Sequence, residues 1–536
     1  MTVEGAAAAA HAGWISVLPP VVALVVALVF RNVIVALVLG VWVGAWCVAG
    51  PGIDTLGSSI LDTMQIYVRD ALADPDHVSV ILFSLMIGGM VGIISRNGGM
   101  HGVVALLTRH TTTPRSAQFA TTGLGLAIFF DDYSNTMVVG NTMRPLTDRL
   151  RVSREKLAYL VDTTAAPVAC IGVVTTWIGY QVGLIQDAIE ALPGVDESAY
   201  LLFLRSIPYS FYPWLAIVFM LLLVAMQRDF GPMLAAERRA RLRGDVSRPG
   251  ARMGAAAGGE ELEPVAGRPT RARNAVVPVL VLIAGVAAGL WLTGRAALDA
   301  GAPATVGDII GAADSYKALV WSSFVAVLVA GAMTVTQRLM SIDETVEAWY
   351  VGVRAMLFAM IVLTLAWALA ATVEALGTAD YIVSVLSDAL PPGVFPALVF
   401  VVAACTAFAT GTSWGTMGIL MPLVVPLVWS VITTAGFDDA GAHHVLHASV
   451  AAVLAGAVWG DHCSPISDTT ILSSTASSCD HIDHVRTQLP YAMIVGGVAI
   501  VFCLLPVGFG LPWWAGLIAG ATALALVARL VGRPVP

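Results

Sequence analysis

The sequence predicts an all-α integral membrane protein with about eleven transmembrane helices, two re-entrant hairpins with broken helices, and an inverted-topology repeat. The composition, a series of long apolar segments and two matching polar interruptions lead to this prediction. Of 536 residues, 57% are hydrophobic and only 12% are charged. Because a soluble domain is about one quarter charged, a water-soluble enzyme or a disordered scaffold is disfavoured. The net charge of −8 also argues against nucleic-acid binding, which needs a basic face.

Long apolar segments supply the predicted membrane crossings. A spanning helix needs about 20 apolar residues, and eleven segments satisfy this requirement: 14–30, 32–50, 77–95, 157–178, 201–227, 275–293, 316–335, 351–373, 446–460 with its continuation, 489–508 and 511–531. Two further apolar segments, 116–143 and 396–430, are interrupted by polar clusters. We interpret these two as the re-entrant hairpins.

The charges of the loops predict the orientation. The stretch 228–273 carries ten arginines and six acidic residues, and we expect a disordered cytoplasmic linker, because basic loops stay inside. The stretch 51–76 carries five aspartates and one arginine and is placed outside. These placements predict an external N-terminus and a cytoplasmic C-terminus. Both ends of 116–143 then lie inside, and both ends of 396–430 lie outside.

The chain divides into two halves that resemble each other. The first half is 1–227 with its core at 77–178, and the second is 274–536 with its core at 351–475. Each interrupted segment is followed by a helix broken around an aspartate and a proline. These pairs are Asp162 with Pro167, and Asp461 with Pro465. Inverted repeats place the transported substrate near the membrane midplane, between the halves.

Oxygen-bearing side chains in these interruptions are the candidate site. A charged residue at the bilayer centre costs about 2.5–3.5 kcal/mol, so Asp132, Asp162 and Asp461 are predicted to bind an ion and a proton. Hard cations such as Na⁺ prefer oxygen ligands, and one carboxylate can hold either Na⁺ or H⁺. Neutral or supporting ligands are expected from seven further residues: Ser134, Asn135, Thr163, Thr412, Ser413, Ser464 and Asp468.

Simpler roles compete at some of these positions. Asp162 or Asp468 could be an N-cap, since aspartate is common at helix starts. Asp131 could face water or pair with Arg144. Asp132 ranks above Asp131 because it shares a helical face with Asn135 and Thr136.

Histidine, cysteine and serine motifs indicate weaker hypotheses. His443, His444 and His447 have metal-ligand spacing on a helix, but they are expected to be solvated at an outer loop edge. A zinc site is less favoured for a second group of four residues: Cys463, Cys479, His481 and His484. The stretch Gly411–Gly415 fits G-x-S-x-G, so Ser413 could serve a membrane serine hydrolase, provided that a strand precedes it and a histidine and an acid join it.

Several long motifs resemble the NhaC-type Na⁺/H⁺ antiporter family. They are Phe130-Asp-Asp-Tyr-Ser-Asn-Thr-Met-Val-Val-Gly, Met143-Arg-Pro-Leu-Thr-Asp, Ser153-Arg-Glu-Lys-Leu-Ala-Tyr-Leu-Val-Asp-Thr-Thr-Ala-Ala-Pro and Trp459-Gly-Asp-His-Cys-Ser-Pro-Ile-Ser-Asp-Thr-Thr. The resemblance covers about residues 75 to 510. The resemblance carries over to nine positions: Asp132, Ser134, Asn135, Asp162, Thr163, Ser413, Asp461, Ser464 and Asp468.

The resemblance implies a secondary transporter, not an enzyme, that exchanges cytoplasmic Na⁺ for external H⁺ in a bacterial inner membrane. No cofactor is expected besides Na⁺ and H⁺ as transported ions, and the expected partners are those ions and membrane lipid, without nucleic acid. Relatives that exchange an organic acid or amino acid with Na⁺ or H⁺ provide the alternative function. Gly-x-x-x-Gly pairs at Gly40 and Gly88 indicate close helix contacts and leave a homodimer open.

Overall fold

The computed structural model describes residues 13–536, apart from 31, 109–110, 191, 193, 196, 252–263, 266, 299–304, 379–380, 382–390 and 437–438. In this part of the chain the regular structure is almost entirely helical, as predicted. The first half contains thirteen α-helices in order: α1 (Leu18–Phe30), α2 (Val33–Val48), α3 (Ile53–Asp62), α4 (Arg69–Ala73), α5 (Pro75–Arg96), α6 (Gly99–Thr108), α7 (Pro114–Ala127), α8 (Asp132–Arg149), α9 (Arg154–Thr164), α10 (Ala166–Ile171), α11 (Ile178–Glu190), α12 (Ala199–Ser206) and α13 (Phe211–Met226).

The linker and the second half continue the helical pattern. Their helices are α14 (Gly231–Arg243), α15 (Arg273–Ala297), α16 (Val306–Gly311), α17 (Ser315–Thr336), α18 (Ile342–Ala375), α19 (Phe395–Thr410), α20 (Ser413–Thr434), α21 (Asp439–Cys463), α22 (Asp468–Ala476), α23 (His481–Val498), α24 (Leu505–Gly508) and α25 (Trp513–Leu530). Turns of π-helix occupy Thr63–Val68 and Ala499–Leu504, and 3₁₀ turns occupy Gly13–Val17, Ile207–Tyr209 and Pro392–Val394.

The helices that have the length of a membrane span differ in part from the predicted segments. Within the described residues, eight helices are long and apolar enough to cross a membrane, and Ala199–Tyr209 with Phe211–Met226, bent by 44°, makes a ninth if the pair is one span. The predicted spans 14–30 and 32–50 contain the shorter helices α1 and α2, with 13 and 16 residues. In the interrupted segment 396–430, by contrast, the helices Pro392–Thr410 and Ser413–Thr434 are each long enough to cross a membrane. The predicted span 157–178 is divided into α9, α10 and the irregular stretch 172–177.

Both predicted interruptions are present. A break at 128–131 separates α7 from α8, and a break at 411–412 separates α19 from α20. The helix that follows each pair is broken as well, between α9 and α10 and between α21 and α22. A Cβ atom at Gly125 would lie 2.1 Å from Thr164 Oγ1, and one at Gly411 would lie 2.6 Å from the Ile466 carbonyl. In each half, therefore, the break in the pair packs on the break that follows it.

Glycines bring α5 and α18 into direct backbone contact. A Cβ atom at Gly352 would lie 2.0 Å from the Gly88 carbonyl oxygen, and one at Gly92 would lie 2.2 Å from the Ala348 carbonyl oxygen. The helices can approach this closely only because these positions lack side chains. The predicted close contact at the Gly88-x-x-x-Gly92 motif is confirmed.

Part of the linker is ordered, so the expected disorder is wrong for α14. Its Glu237 is fully buried and accepts a hydrogen bond of 2.7 Å from the Ser153 backbone N–H. Arg239 pairs with the buried carboxylate of Glu155 at 2.9 Å. The ten arginines suggested a solvated segment, but one acidic and one basic side chain of α14 contact groups at the start of α9 instead.

Two short strands join the linker to the C-terminal segment. The strand β1 (Arg228–Asp229) pairs antiparallel with β2 (Arg533–Pro534), with Arg228 opposite Pro534. The Arg228 guanidinium also donates to the Gly532 carbonyl oxygen at 2.7 Å. The start of the linker and residues 533–534 therefore lie on one side of the molecule, in agreement with their joint placement by loop charge.

Candidate functional site

The break before α8 holds two buried aspartates with different environments. Asp131 is the N-cap of α8: its Oδ2 accepts from the Ser134 N–H at 2.8 Å and its Oδ1 from Thr176 Oγ1 at 3.1 Å. It is 3% exposed and does not pair with Arg144, which donates to Ser478. The two hypotheses that Asp131 faces water or pairs with Arg144 are therefore wrong, because its carboxylate caps the start of α8.

Asp132, the next residue along the chain, is also buried. Among the described residues, neither of its carboxylate oxygens has a hydrogen-bond partner. The indole of Trp177 neighbours the carboxylate, yet its N–H also lies outside hydrogen-bond geometry. A buried polar group without a partner is costly, so Asp132 offers two oxygen atoms that a cation or a proton could satisfy.

Asn135 lies one turn further along α8, on the face of Asp132. Its Nδ2 donates to three backbone carbonyl oxygens, those of Gly125 at 2.7 Å, Ile128 at 3.2 Å and Thr164 at 2.9 Å. Its Oδ1 is buried and accepts no hydrogen bond from the part of the chain that the structure describes. The amide nitrogen thus fixes the side chain between α7 and α9, and the amide oxygen is left as a third unsatisfied acceptor.

Asp162 connects the two halves. Its Oδ2 accepts from Gln488 Nε2 at 2.6 Å and lies 3.2 Å from His484 Nε2. Ser473 donates to Oδ1 at 3.2 Å, and Thr470 donates to Oδ2 at 3.4 Å. All four partners belong to α22 and α23 of the second half, so this carboxylate is held by helices about 300 residues further along the chain.

Asp461 and Asp468 flank the break between α21 and α22. The Asp461 carboxylate accepts from Ser467 Oγ at 2.8 Å and from Thr469 Oγ1 at 2.9 Å. Asp468 accepts from the Tyr133 hydroxyl and is exposed, unlike Asp461. The N-cap of α22 is Ser467 and that of α9 is Ser153. The N-cap hypothesis is therefore wrong for both Asp162 and Asp468.

Thr163 and His462 make a second contact between the halves. Thr163 Oγ1 lies 3.3 Å from His462 Nε2, while His462 Nδ1 lies 2.7 Å from the Tyr212 hydroxyl. Ser464 Oγ donates to the Phe408 carbonyl at 2.7 Å. That hydrogen bond ties the break after α21 to the end of α19.

The second hairpin approaches the site through Trp414. Thr412 is the N-cap of α20 and accepts from the Gly415 N–H at 3.4 Å. Ser413 is buried beside it. The Trp414 ring lies 5.2 Å from that of Trp177, which neighbours Asp132. Thr412 and Ser413 make no hydrogen bond to the predicted aspartates within the described residues, so the hairpin reaches the site by aromatic packing.

Sequence reasoning missed His462, His484, Gln488 and Tyr133 as neighbours of the aspartates. His484 and Gln488 lie four residues apart on one face of α23, in the polar first half of a helix whose second half is apolar. A polar pair at helical spacing in a membrane segment is a usable signal. It is easily missed, because His484 also belongs to a group of residues with zinc-ligand chemistry.

The zinc and serine-hydrolase hypotheses meet structural objections. His484 is engaged by Asp162, and His481 Nε2 lies 2.7 Å from the Pro465 carbonyl, so the four-residue zinc group is not assembled. Ser413 follows helix α19 rather than the strand that a nucleophile elbow needs. His447 is buried and hydrogen-bonded to Glu197 at 2.9 Å, so the expectation of three solvated histidines is wrong.

Charge balance distinguishes the site. Asp132, Asp162, Asp461 and Asp468 have no Lys or Arg nitrogen within 4.0 Å in the part of the chain that the structure describes; the nearby basic groups are His462 and His484 beside Asp162. A buried carboxylate is costly unless it is hydrogen-bonded, paired with a positive group, or neutralised by a proton or a bound cation.

Comparison with known proteins places the chain among transporters. It is 30% identical over 518 residues, 96% of its length and 94% of the relative, to an uncharacterized protein of Haemophilus influenzae. A 158-residue stretch is 30% identical to a malate-2H⁺/Na⁺-lactate antiporter of Bacillus subtilis, covering 30% of this chain and 31% of the relative. The solved YdaH transporter of Alcanivorax borkumensis has a similar fold, with a TM-score of 0.52 and 15% identity over 85% of this chain and 90% of that one.

The match to a family model decides the classification. Residues 168–509 match the model of the Na⁺/H⁺ antiporter family, and this range includes Ser413, Asp461, Ser464 and Asp468. The resemblance noted in the sequence motifs is confirmed. With its apolar helices, this multi-pass membrane protein is a secondary transporter and belongs to the Na⁺/H⁺ antiporter family.

Proposed function

We propose that the protein exchanges Na⁺ for H⁺ across the cytoplasmic membrane by alternating access. The observation that carries this proposal is a set of three buried oxygen atoms that accept no hydrogen bond from the described residues: Asp132 Oδ1, Asp132 Oδ2 and Asn135 Oδ1. They lie one turn apart on α8 and are all acceptors. Acceptor oxygens without hydrogen-bond donors suit a hard cation.

In this proposal, Na⁺ and H⁺ compete for Asp132, and this competition couples the transport of the two ions. The carboxylate takes Na⁺ with the Asn135 oxygen in one state of the cycle and takes a proton in the other. Because one carboxylate cannot hold both ions well, release of one permits binding of the next. Asp461 and Asp468 stand nearby as further carboxylates, and the exposure of Asp468 supports its role at the aqueous entrance.

In this proposal, the hydrogen bonds of Asp162 depend on the relative position of the two halves. Its carboxylate belongs to the first half, and its hydrogen-bond partners on α22 and α23 belong to the second. Movement of one half against the other must exchange these partners. We assign the linker and C-terminal side to the cytoplasm, supported by the basic loops.

Coupled exchange of a small organic acid or amino acid is the second candidate. The name of the Bacillus subtilis relative, a malate-2H⁺/Na⁺-lactate antiporter, favours it. An organic anion, however, needs a positive partner at its binding site. The lack of Lys or Arg beside the four aspartates in the described residues supports a cation instead.

Transport in liposomes tests the proposal. The purified protein is reconstituted, a pH gradient is imposed, and its dissipation is followed with a pH-sensitive dye after addition of Na⁺, Li⁺ or a dicarboxylate. We expect Na⁺ to dissipate the gradient in the wild type, and Asp132→Asn and Asn135→Leu to abolish this response.

Asp314→Asn is the matched control. Asp314 is an exposed N-cap of α17, and asparagine caps helices as well as aspartate does, so exchange should be unchanged. A response to a dicarboxylate but not to Na⁺ or Li⁺ would favour the second candidate function, coupled exchange of a small organic acid or amino acid. Full Na⁺ response in Asp132→Asn would contradict the proposed site.

A further inference from the structure

We infer that Glu197, His443 and His447 form a binding site for a transition-metal ion such as Zn²⁺, separate from the transport site. His443 and His447 are four residues apart on α21, and Glu197 lies two residues before α12. One ligand atom from each lies within 4.8 Å of the other two. The site joins the connection between α11 and α12 to the beginning of α21.

The ligand types fit this class of metal. Two imidazoles and one carboxylate are a common protein ligand set for zinc, with a fourth position left for water. Ligand atoms about 2.1 Å from a tetrahedral Zn²⁺ lie about 3.4 Å apart. His447 Nε2 and Glu197 Oε2 are 2.9 Å apart, and all three ligand atoms lie within 4.8 Å of one another, so the side chains must shift to reach this spacing around an ion.

Neighbouring side chains hold the Glu197 carboxylate in place. Arg205 pairs with Glu197 Oε1, which leaves Oε2 directed at His447. The side chains of His447 and Glu197 are each only 9% exposed. Orientation of a metal-ligating carboxylate by a second hydrogen bond is typical of protein metal sites. A bound ion replaces the proton shared by Nε2 and Oε2.

His444 belongs to the protein framework instead. Its Nε2 lies 2.7 Å from the Val507 carbonyl and its Nδ1 lies 3.0 Å from the Tyr209 hydroxyl. Both ring nitrogens are therefore used. This adjacent histidine, on the same helix but outside the ligand group, provides a control for the experiment.

Metal titration tests the inference without reference to transport. Purified full-length protein is freed of metal and titrated with Zn²⁺ by calorimetry. We expect one site in the wild type and at least tenfold weaker binding in His443→Ala, His447→Ala and Glu197→Gln, since loss of even an outer-shell partner costs about 10–100-fold. His444→Gln should bind as the wild type does.

Two further measurements keep the result interpretable. Thermal unfolding of each variant without metal shows whether the fold is retained, and Glu197→Gln is the mildest change if an alanine variant is unstable. Co²⁺ reports the ligand type, and we expect no thiolate charge-transfer absorption. The inference would be overturned if the wild type bound no Zn²⁺, or if the Glu197 and His447 variants bound Zn²⁺ as tightly as the wild type does. Thiolate absorption that increases with the bound ion would also overturn it.

Discussion

Gln488 Nε2 donates to Asp162 Oδ2 at 2.6 Å and is also 2.6 Å from the His462 carbonyl oxygen. One amide group thus bridges a carboxylate of the first half and a backbone carbonyl of the second. Because the acceptor is a buried carboxylate, this contact is stronger than a hydrogen bond between neutral groups. The Gln488 amide therefore holds Asp162 close to the end of α21.

Replacement of Gln488 by leucine should weaken the contact between the halves. A hydrogen bond to a charged group contributes about 1.5–3 kcal/mol, so we expect a lower thermal unfolding temperature together with slower exchange in liposomes. Gln337→Leu is the control for loss of a hydrogen-bonded glutamine away from Asp162: Gln337 Nε2 donates to Asn274 Oδ1 and the Met333 carbonyl, and its Oε1 accepts from Arg271 and Arg273. An equal loss of exchange in both variants would contradict a specific role for Gln488.

Replacement of Asp132 by asparagine should make the protein more stable in buffer without Na⁺. An unpartnered buried carboxylate is destabilising by several kcal/mol, and a neutral amide removes that penalty. Wild-type protein should be stabilised by added Na⁺, by about 2.7 kcal/mol at one hundred times the dissociation constant, and the variant should not respond. Thermal unfolding with and without Na⁺ measures both effects.

Asp461→Asn is expected to have the opposite effect on stability from Asp132→Asn. Asp461 accepts from Ser467 and Thr469, so this variant should lose stability where Asp132→Asn gains it. A Na⁺-dependent unfolding temperature that persists in Asp132→Asn would count against the site on α8.

Replacement of Lys156 by methionine should destabilise the contact between α9 and the start of the linker. Lys156 is fully buried and its Nζ lies 2.7 Å from Asp229 Oδ1, which also accepts from the Tyr491 hydroxyl at 2.7 Å. Loss of one partner from a buried ion pair typically costs about 3–5 kcal/mol. The double variant Lys156→Met with Asp229→Asn should recover part of this loss in thermal unfolding. No recovery would show that the two side chains act independently.

Alanine at Gly352 should separate α5 from α18. The added Cβ would lie 2.0 Å from the Gly88 carbonyl oxygen, and overpacking of this kind costs about 1–3 kcal/mol or more. Gly497→Ala, on α23, is the control because its Cβ would meet no atom within 4 Å, and alanine favours the helix by about 1 kcal/mol. The two variants should shift the unfolding temperature in opposite directions.

The sequence was sufficient for the fold class and for the positions of the breaks. Long apolar segments identify helices, and polar clusters such as Asp131–Asn135 stand out within them. Hydropathy alone does not place the ends of a broken helix: 157–178 was predicted as one crossing, yet the helix ends at Thr164 and again at Ile171.

Partners across the halves could not be predicted in the same way. Asp162 was identified as a candidate ligand, but its contacts with His484 and Gln488 depend on how α9 packs against α23, and no local pattern specifies that arrangement. For the same reason, the packing of α14 could not be predicted. Its arginines indicate a polar surface, whereas burial of Glu237 depends on the Ser153 N–H, which is brought to it by the fold.

The pairing of β1 with β2 has a practical use. Since residues 533–534 lie against Arg228 and Asp229, and Val535 N–H donates to the Gln227 carbonyl at 2.9 Å, a fluorophore attached after Pro536 would be a close neighbour of α14. Energy transfer between that fluorophore and a second dye on exposed Arg243, replaced by cysteine, would then follow the docking of the linker helix during ion exchange in real time.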